Sequence, residues 1–179
     1  MATETLLPNA DTVQIWNIYG EATAWEATVS DDDDTSYIHK ASNIPIQNLM
    51  HHDNTGLSGG ISINSVTVRA KCKVITGPGY VQIGLYINRH TYQSGQLSLT
   101  TSYTWKEYEF LNNPDTGNPW QVSELDALVS SIYNHDNLKE HRCTRMEIVV
   151  DYDAVADTET GMLDPYLAYK MRGGLQDNA

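Results

Sequence analysis

The residues best equipped for chemistry are few and scattered along the chain. Four adjacent carboxylates, Asp31–Asp34, offer the oxygen ligands a hard cation such as calcium prefers. Asp31, Asp32 and Asp34 are the candidate ligands. The run lacks the Asp-x-Asp-x-Asp-Gly spacing and distant Glu of an EF-hand, and a solvated loop is the plainer reading. His51-His52-Asp53 sets imidazole beside carboxylate, but neighbouring side chains on an extended segment point apart, so at most one histidine joins a given site. Gly56-Leu-Ser-Gly-Gly60 matches G-x-S-x-G. A nucleophile elbow needs a strand before the serine and a helix after it, and here an alternating strand follows. Glu107 and Glu109 share one strand face with Trp105, about 7 Å apart. Glycosidase carboxylates usually come from different elements around a cleft, so an exposed strand face fits them better. His39, His90, His135 and His141 are scattered over predicted strands and turns. No phosphate loop, dinucleotide fingerprint or basic-aromatic patch occurs. The expectation is a protein that is not an enzyme and holds no cofactor, calcium aside.

The aromatic residues point to contact surfaces. The chain has 11 Tyr and 4 Trp against 1 Phe. Tyr and Trp bury an apolar body while keeping a polar tip bonded, which suits half-buried sheet faces and interfaces. Tyr86, Tyr92, Tyr103 and Trp105 are the rings that could stack on sugars. The 179 residues fit one domain with a tail. With 11 Lys+Arg against 23 Asp+Glu, the net charge of -12 disfavours nucleic acid and anionic membrane as main partners. No apolar run approaches the roughly 18–20 residues that cross a bilayer. The first residues lack the basic and apolar regions of a signal peptide, so none is expected.

The elements that must position these residues are read from hydrophobic periodicity. Residues 1–10 read as a polar lead-in. Period-two alternation predicts strands over 13–19, 36–40, 61–75, 80–87, 96–99, 104–111 and 144–152, with an extended piece near 44–49. Gly77-Pro-Gly79 reads as a sharp turn that makes 61–87 a hairpin. Asn112–Pro119 is a loop, after which Trp120 can plug the end of a sandwich. Ser123 as N-cap, followed by Leu125, Leu128, Val129 and Ile132 on one stripe, predicts a short helix near 123–133. Many short strands with turns every 8–12 residues predict an all-β fold: an antiparallel two-sheet, jelly-roll-like β-sandwich over 11–153.

The two cysteines are assigned by strand phase. Cys72 shares the inward phase of Val66, Val68, Ala70 and Val74. Cys143 is out of phase with Met146, Ile148 and Val150, so it is expected outside, unable to reach Cys72. Free thiols follow, as in a reducing cytosol.

Four stretches carry a resemblance. Asp31-Asp-Asp-Asp-Thr-Ser-Tyr-Ile38, Leu99-Thr-Thr-Ser-Tyr-Thr-Trp-Lys-Glu-Tyr108, the run from Asn113-Pro-Asp-Thr-Gly through Trp120 to Leu128, and Cys143-Thr-Arg-Met-Glu-Ile-Val-Val-Asp-Tyr152 occur in this order. Together they resemble a jelly-roll-like β-sandwich module of tailed-phage virion proteins. The resemblance implies a non-enzymatic structural role: a capsid decoration or cement protein on the outer head surface, made in the host cytoplasm. Its partners would be the major capsid protein and copies of itself, as a homo-oligomer such as a trimer, with no nucleic acid or membrane. Residues 154–179 would form a C-terminal arm, with Tyr166, Leu167, Tyr169 and Met171 as partner-binding anchors. The alternative is a carbohydrate- or receptor-binding β-sandwich module of a tail fibre or baseplate.

Overall fold

A computed structural model describes residues 1–40, 46–58, 60–134 and 139–154. They form two antiparallel sheets with almost no helix. Sheet A runs in the order β10 (Thr104–Phe110), β6 (Ile61–Val74), β12 (His141–Ala154), β4 (Tyr37–Lys40), β3 (Asn17–Tyr19), with β1 (Ala2–Leu6) beside β12 further along its length. Sheet B runs β2 (Pro8–Val13), β5 (Ile46–His52), β11 (Val129–Asn134), β7 (Gly79–Ile87), β8 (His90–Gln93), with β9 (Leu97–Leu99) also on β7. The chain alternates between sheets from β4 to β7 and again from β10 to β12. Set side by side, β4-β12-β6-β10 and β5-β11-β7-β8 give the jelly-roll order.

Alternation explains the core. On β6, Val66, Val68, Ala70, Cys72 and Val74 face inward, and Thr67, Arg69, Lys71 and Lys73 face outward. Val81, Ile83 and Leu85 of β7, Ile132 of β11 and Met146, Ile148 and Val150 of β12 meet them in one cluster. Trp120 closes one end, 3% exposed, with its indole N–H donating to the Phe110 carbonyl at 3.0 Å.

Four expectations are corrected. Residues 1–10 are not a lead-in, because β1 pairs with β12 and β2 with β5. Residues 61–87 are not a hairpin, since β6 and β7 lie in different sheets and the turn between them carries the chain across the core. The helix near 123–133 shrinks to a 3-10 turn at Val122–Glu124, and β11 begins at Val129. Leu125, Leu128, Val129 and Ile132 are buried as expected, but through a turn and a strand. Burial against two neighbouring strands outweighs helix propensity in so short a segment.

The fourth correction is Cys143. It is fully buried and stands directly opposite Cys72. A β-bulge between Cys143 and Arg145 adds one residue, Thr144, and resets the phase. The Thr144 hydroxyl donates to the Ser36 carbonyl at 3.0 Å, and the Met146 N–H donates to the Thr28 carbonyl at 3.0 Å. Both cysteines are free thiols on the same face. Another element is not evident in the period-two pattern: a one-turn helix, α1 (Ala24–Ala27), with Thr23 and Glu26 in a capping box.

Candidate functional site

Two surfaces gather polar and aromatic side chains. The first is the outer face of sheet A, where the cations of β6 and β12 meet acidic partners. Lys71 Nζ lies 2.8 Å from Asp31 and 2.9 Å from Asp33. Lys73 Nζ holds Asp34 at 2.6 Å, and Arg142 reaches the same carboxylate at 3.0 Å. The bond from Lys73, then that from Arg142, outweighs partial burial and keeps the Asp34 carboxyl below the usual range. Asp32 turns away and accepts from the Ser36 N–H at 2.9 Å. Asp31 and Asp33 adopt left-handed backbone angles, φ 53° and 57°, which aspartate tolerates better than most residues. The structure thus splits Asp31, Asp32 and Asp34 among protein partners rather than bringing them to one point. Among the described residues no group of three or more His, Cys, Asp or Glu side chains converges on a metal position.

The same face uses up its rings. The Arg69 guanidinium lies 4.5 Å over Trp105, Lys73 4.4 Å over Tyr103, and Arg142 4.4 Å over Tyr37. Burial first, and Asp34 second, push the Tyr103 phenol well above its ordinary pKa. Glu147, 6% exposed, sits between Arg69 at 2.9 Å and Arg145 at 3.2 Å. Glu107 pairs with Arg69 at 2.8 Å, and Glu109 is exposed.

The second surface is a cavity of about 360 Å³ at one end of the sandwich, beside Trp120's loop. Tyr86, Ile87, Ala127, Leu128 and Val129 give it an apolar side, and Asn88, Asn113, Asp115, Thr116 and Glu124 a polar one. Each polar group is fixed by local structure. Asn88 and Arg89 both have positive φ, 49° and 69°, and join Ile87 to its partner His90 in a two-residue turn of the I′ kind. A Cβ at Gly84 would collide with the Tyr92 carbonyl, so glycine is needed there for β8 to lie close against β7. Tyr92 OH and Asn88 Nδ2 each donate to Asp115 at 2.7 Å, and these bonds, Tyr92's first, hold its carboxyl below the usual range. Asn113, 3% exposed, organises its loop from inside: its side-chain oxygen accepts from the Asp115 N–H at 2.9 Å, and its carbonyl accepts from the Gly117 N–H at 2.8 Å. Glu124 accepts from the Gln121 N–H at 2.8 Å.

Of the four rings considered for stacking, Tyr86 therefore lines the cavity and Tyr92 braces its rim, while Tyr103 and Trp105 lie under cations. Sequence reading missed Asn88, Asp115 and Glu124 as a group. The Asn112–Pro119 run signals a loop, but which strand end it meets depends on sheet order.

The remaining candidates are structural. His51 faces outward and His52 inward on β5. His52 is 1% exposed, with Nδ1 3.0 Å from the Leu6 carbonyl and Nε2 2.7 Å from Ser130 Oγ. Burial lowers its pKa to about 4. Gly56 and Ser58 lie in the loop between β5 and β6, with no helix following. Tyr166, Leu167, Tyr169 and Met171 lie outside the described residues.

No family model and no curated protein sequence matches the chain. Several solved structures align with it at low identity. The C-terminal CBM6 of LamC, a marine laminarinase from Zobellia galactanivorans, aligns over 84% of this chain and 100% of its own, at 9% identity and a TM-score of 0.46. The CBM22-1 xylan-binding domain from Paenibacillus barcinonensis aligns over 82% and 92%, at 10% identity and 0.44. A CBM4 structure aligns over 76% and 86%, at 17% identity and 0.44. At such identities and scores the likeness says nothing of a ligand.

Proposed function

We propose that this protein is a non-catalytic binding module for a neutral carbohydrate, seated in the cavity between Tyr86 and the Asp115 loop. The supporting observation is the cavity's division into an aromatic-apolar side and a pre-ordered polar side. A sugar ring presents C–H groups on its faces and hydroxyls around its edge. Tyr86, with Leu128 and Val129, meets the first need; Asn88, Asp115, Thr116 and Glu124 meet the second. The volume falls near the low end of the about 300–1,000 Å³ typical of small-ligand sites, enough for a short saccharide. Two carboxylates at the mouth repel anions and accept hydrogen bonds from hydroxyls, which selects neutral polyols over phosphorylated or uronic ligands. Loop groups already bonded to one another lose little freedom on binding.

Asp31, Asp32 and Asp34 take no part in this reading, since Lys71, Lys73 and Arg142 satisfy Asp31 and Asp34 and Asp32 bonds to Ser36. The head-decoration reading keeps the sequence resemblance as its support, and its proposed arm lies outside the described residues. The test is a neutral-glycan array followed by calorimetric titration of any hit. Binding is expected and should weaken at least tenfold in Tyr86→Ala while Trp105→Ala retains it. Silence across the array at millimolar glycan, or loss with Trp105→Ala instead, would sink the proposal.

A further inference from the structure

The two cysteines stand in an arrangement that the carbohydrate reading does not use. Cys72 lies on β6 and Cys143 on β12, the two central and longest strands of sheet A. The register sets them directly opposite each other. Both point into the sandwich, 1% and 0% exposed. Directly opposed residues of an antiparallel pair hold their Cβ atoms about 4.5–5.5 Å apart, and a disulfide asks for about 3.5–4.5 Å. The difference is small, and the bulge that follows Cys143 is where the strand can take it up. The two thiols already lie within interaction range of each other. The Cys143 thiol also donates to the Arg145 carbonyl at 3.3 Å, inside the bulge.

We propose that Cys72 and Cys143 form a cross-strand disulfide site, oxidised by a glutathione-disulfide-class oxidant while the sheet is still open and sealed once the sandwich closes. In the finished fold no oxidant reaches the pair. Burial also pushes the Cys72 thiol up, so the attacking thiolate is scarce there. In the open chain neither thiol is buried, and both are reachable. One thiolate attacks glutathione disulfide, forming a mixed disulfide and expelling one glutathione thiolate. The second cysteine thiolate attacks that mixed disulfide and expels the other. The protein loses two electrons and two protons, and one glutathione disulfide becomes two glutathione molecules. The bond closes a long loop across the centre of sheet A, and once buried it is as shielded from reductants as the thiols were from oxidants. The redox state of the site therefore records the conditions under which the chain folded, whatever it meets later.

The experiment refolds the full chain from denaturant in two buffers, one holding a glutathione disulfide–glutathione mixture and the other excess reductant. Thiols are then alkylated under denaturing conditions, the intact mass is read, and thermal melts are recorded. The oxidatively refolded monomer is expected to be lighter by two hydrogens and to take up no alkylating agent. It should keep the native near-ultraviolet spectrum and melt about 10 °C higher than the reduced form. Added reductant should leave it intact until the protein is unfolded. Cys143→Ala should show no difference between the buffers. Two free thiols after oxidative refolding, a bond found only between chains, or an oxidised monomer that melts no higher than the reduced one would overturn the proposal. The wild-type result decides even if the variant does not fold.

Discussion

Aromatic rings and carboxylates crowd both the outer face of sheet A and the cavity at the sandwich end, yet the two regions treat them differently. On sheet A each ring of Trp105, Tyr103 and Tyr37 is covered by a cation, and Asp31, Asp33, Asp34, Glu107 and Glu147 each hold a Lys or Arg. At the cavity, Tyr86 carries neither a cation nor a stacked ring among the described residues. Asp115 is held by neutral donors, which fix its place without cancelling its charge. On the sheet face rings and carboxylates are paired with cations of the same face. At the cavity neutral bonds order the polar groups and the Tyr86 ring is left uncovered, which suits the place to receive a ligand. Residue type alone does not separate the two; partners do.

The largest effect is expected at Glu147. Its replacement by Ala leaves Arg69 and Arg145 facing each other across a nearly buried position, and unfolding in urea should show a loss of about 3 kcal/mol, with saccharide binding unchanged. A loss of binding instead would show that the two regions are coupled.

Acid has the next largest effect. His52 is neutral in the fold, its pKa lowered by burial to about 4 against an unfolded value near 6.5. Between those values the unfolded chain takes up the proton and the folded chain does not, so stability falls as pH drops from about 6.5, and the part that a neutral His52 contributes is gone near pH 4. The loss should approach about 3 kcal/mol, and His52→Gln should flatten the curve. Asp34 and Asp115, both with lowered pKa, keep their bonded partners through this window, so the sheet A ion pairs and the Asp115 loop should hold while the melting temperature falls.

At the cavity, Tyr86→Ala should weaken saccharide binding at least tenfold, about 1.4 kcal/mol, in calorimetric titration, with little change in melting. The smallest effect belongs to Glu107→Gln. Glu107's half-exposed pair with Arg69 should be worth no more than about 0.5 kcal/mol by urea unfolding, and its loss should leave binding untouched.

Most of the sandwich was legible because strand faces write themselves into the sequence with period two. β4, β6, β7, β9, β10 and β12 fall where alternation puts them. The failures share a physical cause. Cys143 was assigned to the wrong face because a bulge adds one residue, and nothing local in Cys143-Thr-Arg announces it. The 123–133 stripe reads equally as helix or strand when its length is near one element, and the neighbouring strands β5 and β7 decide it. β8 escaped because Asn88-Arg89 lacks the glycine that usually marks a two-residue turn. The cavity was illegible for a larger reason: Tyr86, Asn88, Asp115 and Glu124 meet only once sheet order is known.

The pairing of β1 with β12 joins residues 2–6 to residues 148–152. A ribosome delivers the first of these long before the second. At about 5–20 residues per second, β1 waits roughly seven to thirty seconds, and the inward row of β6 about half as long, for the strand that lies between them. Through that interval the emerging chain carries open strand edges and bare valines, so nascent polypeptide, rather than finished protein, is where chaperones have most to protect.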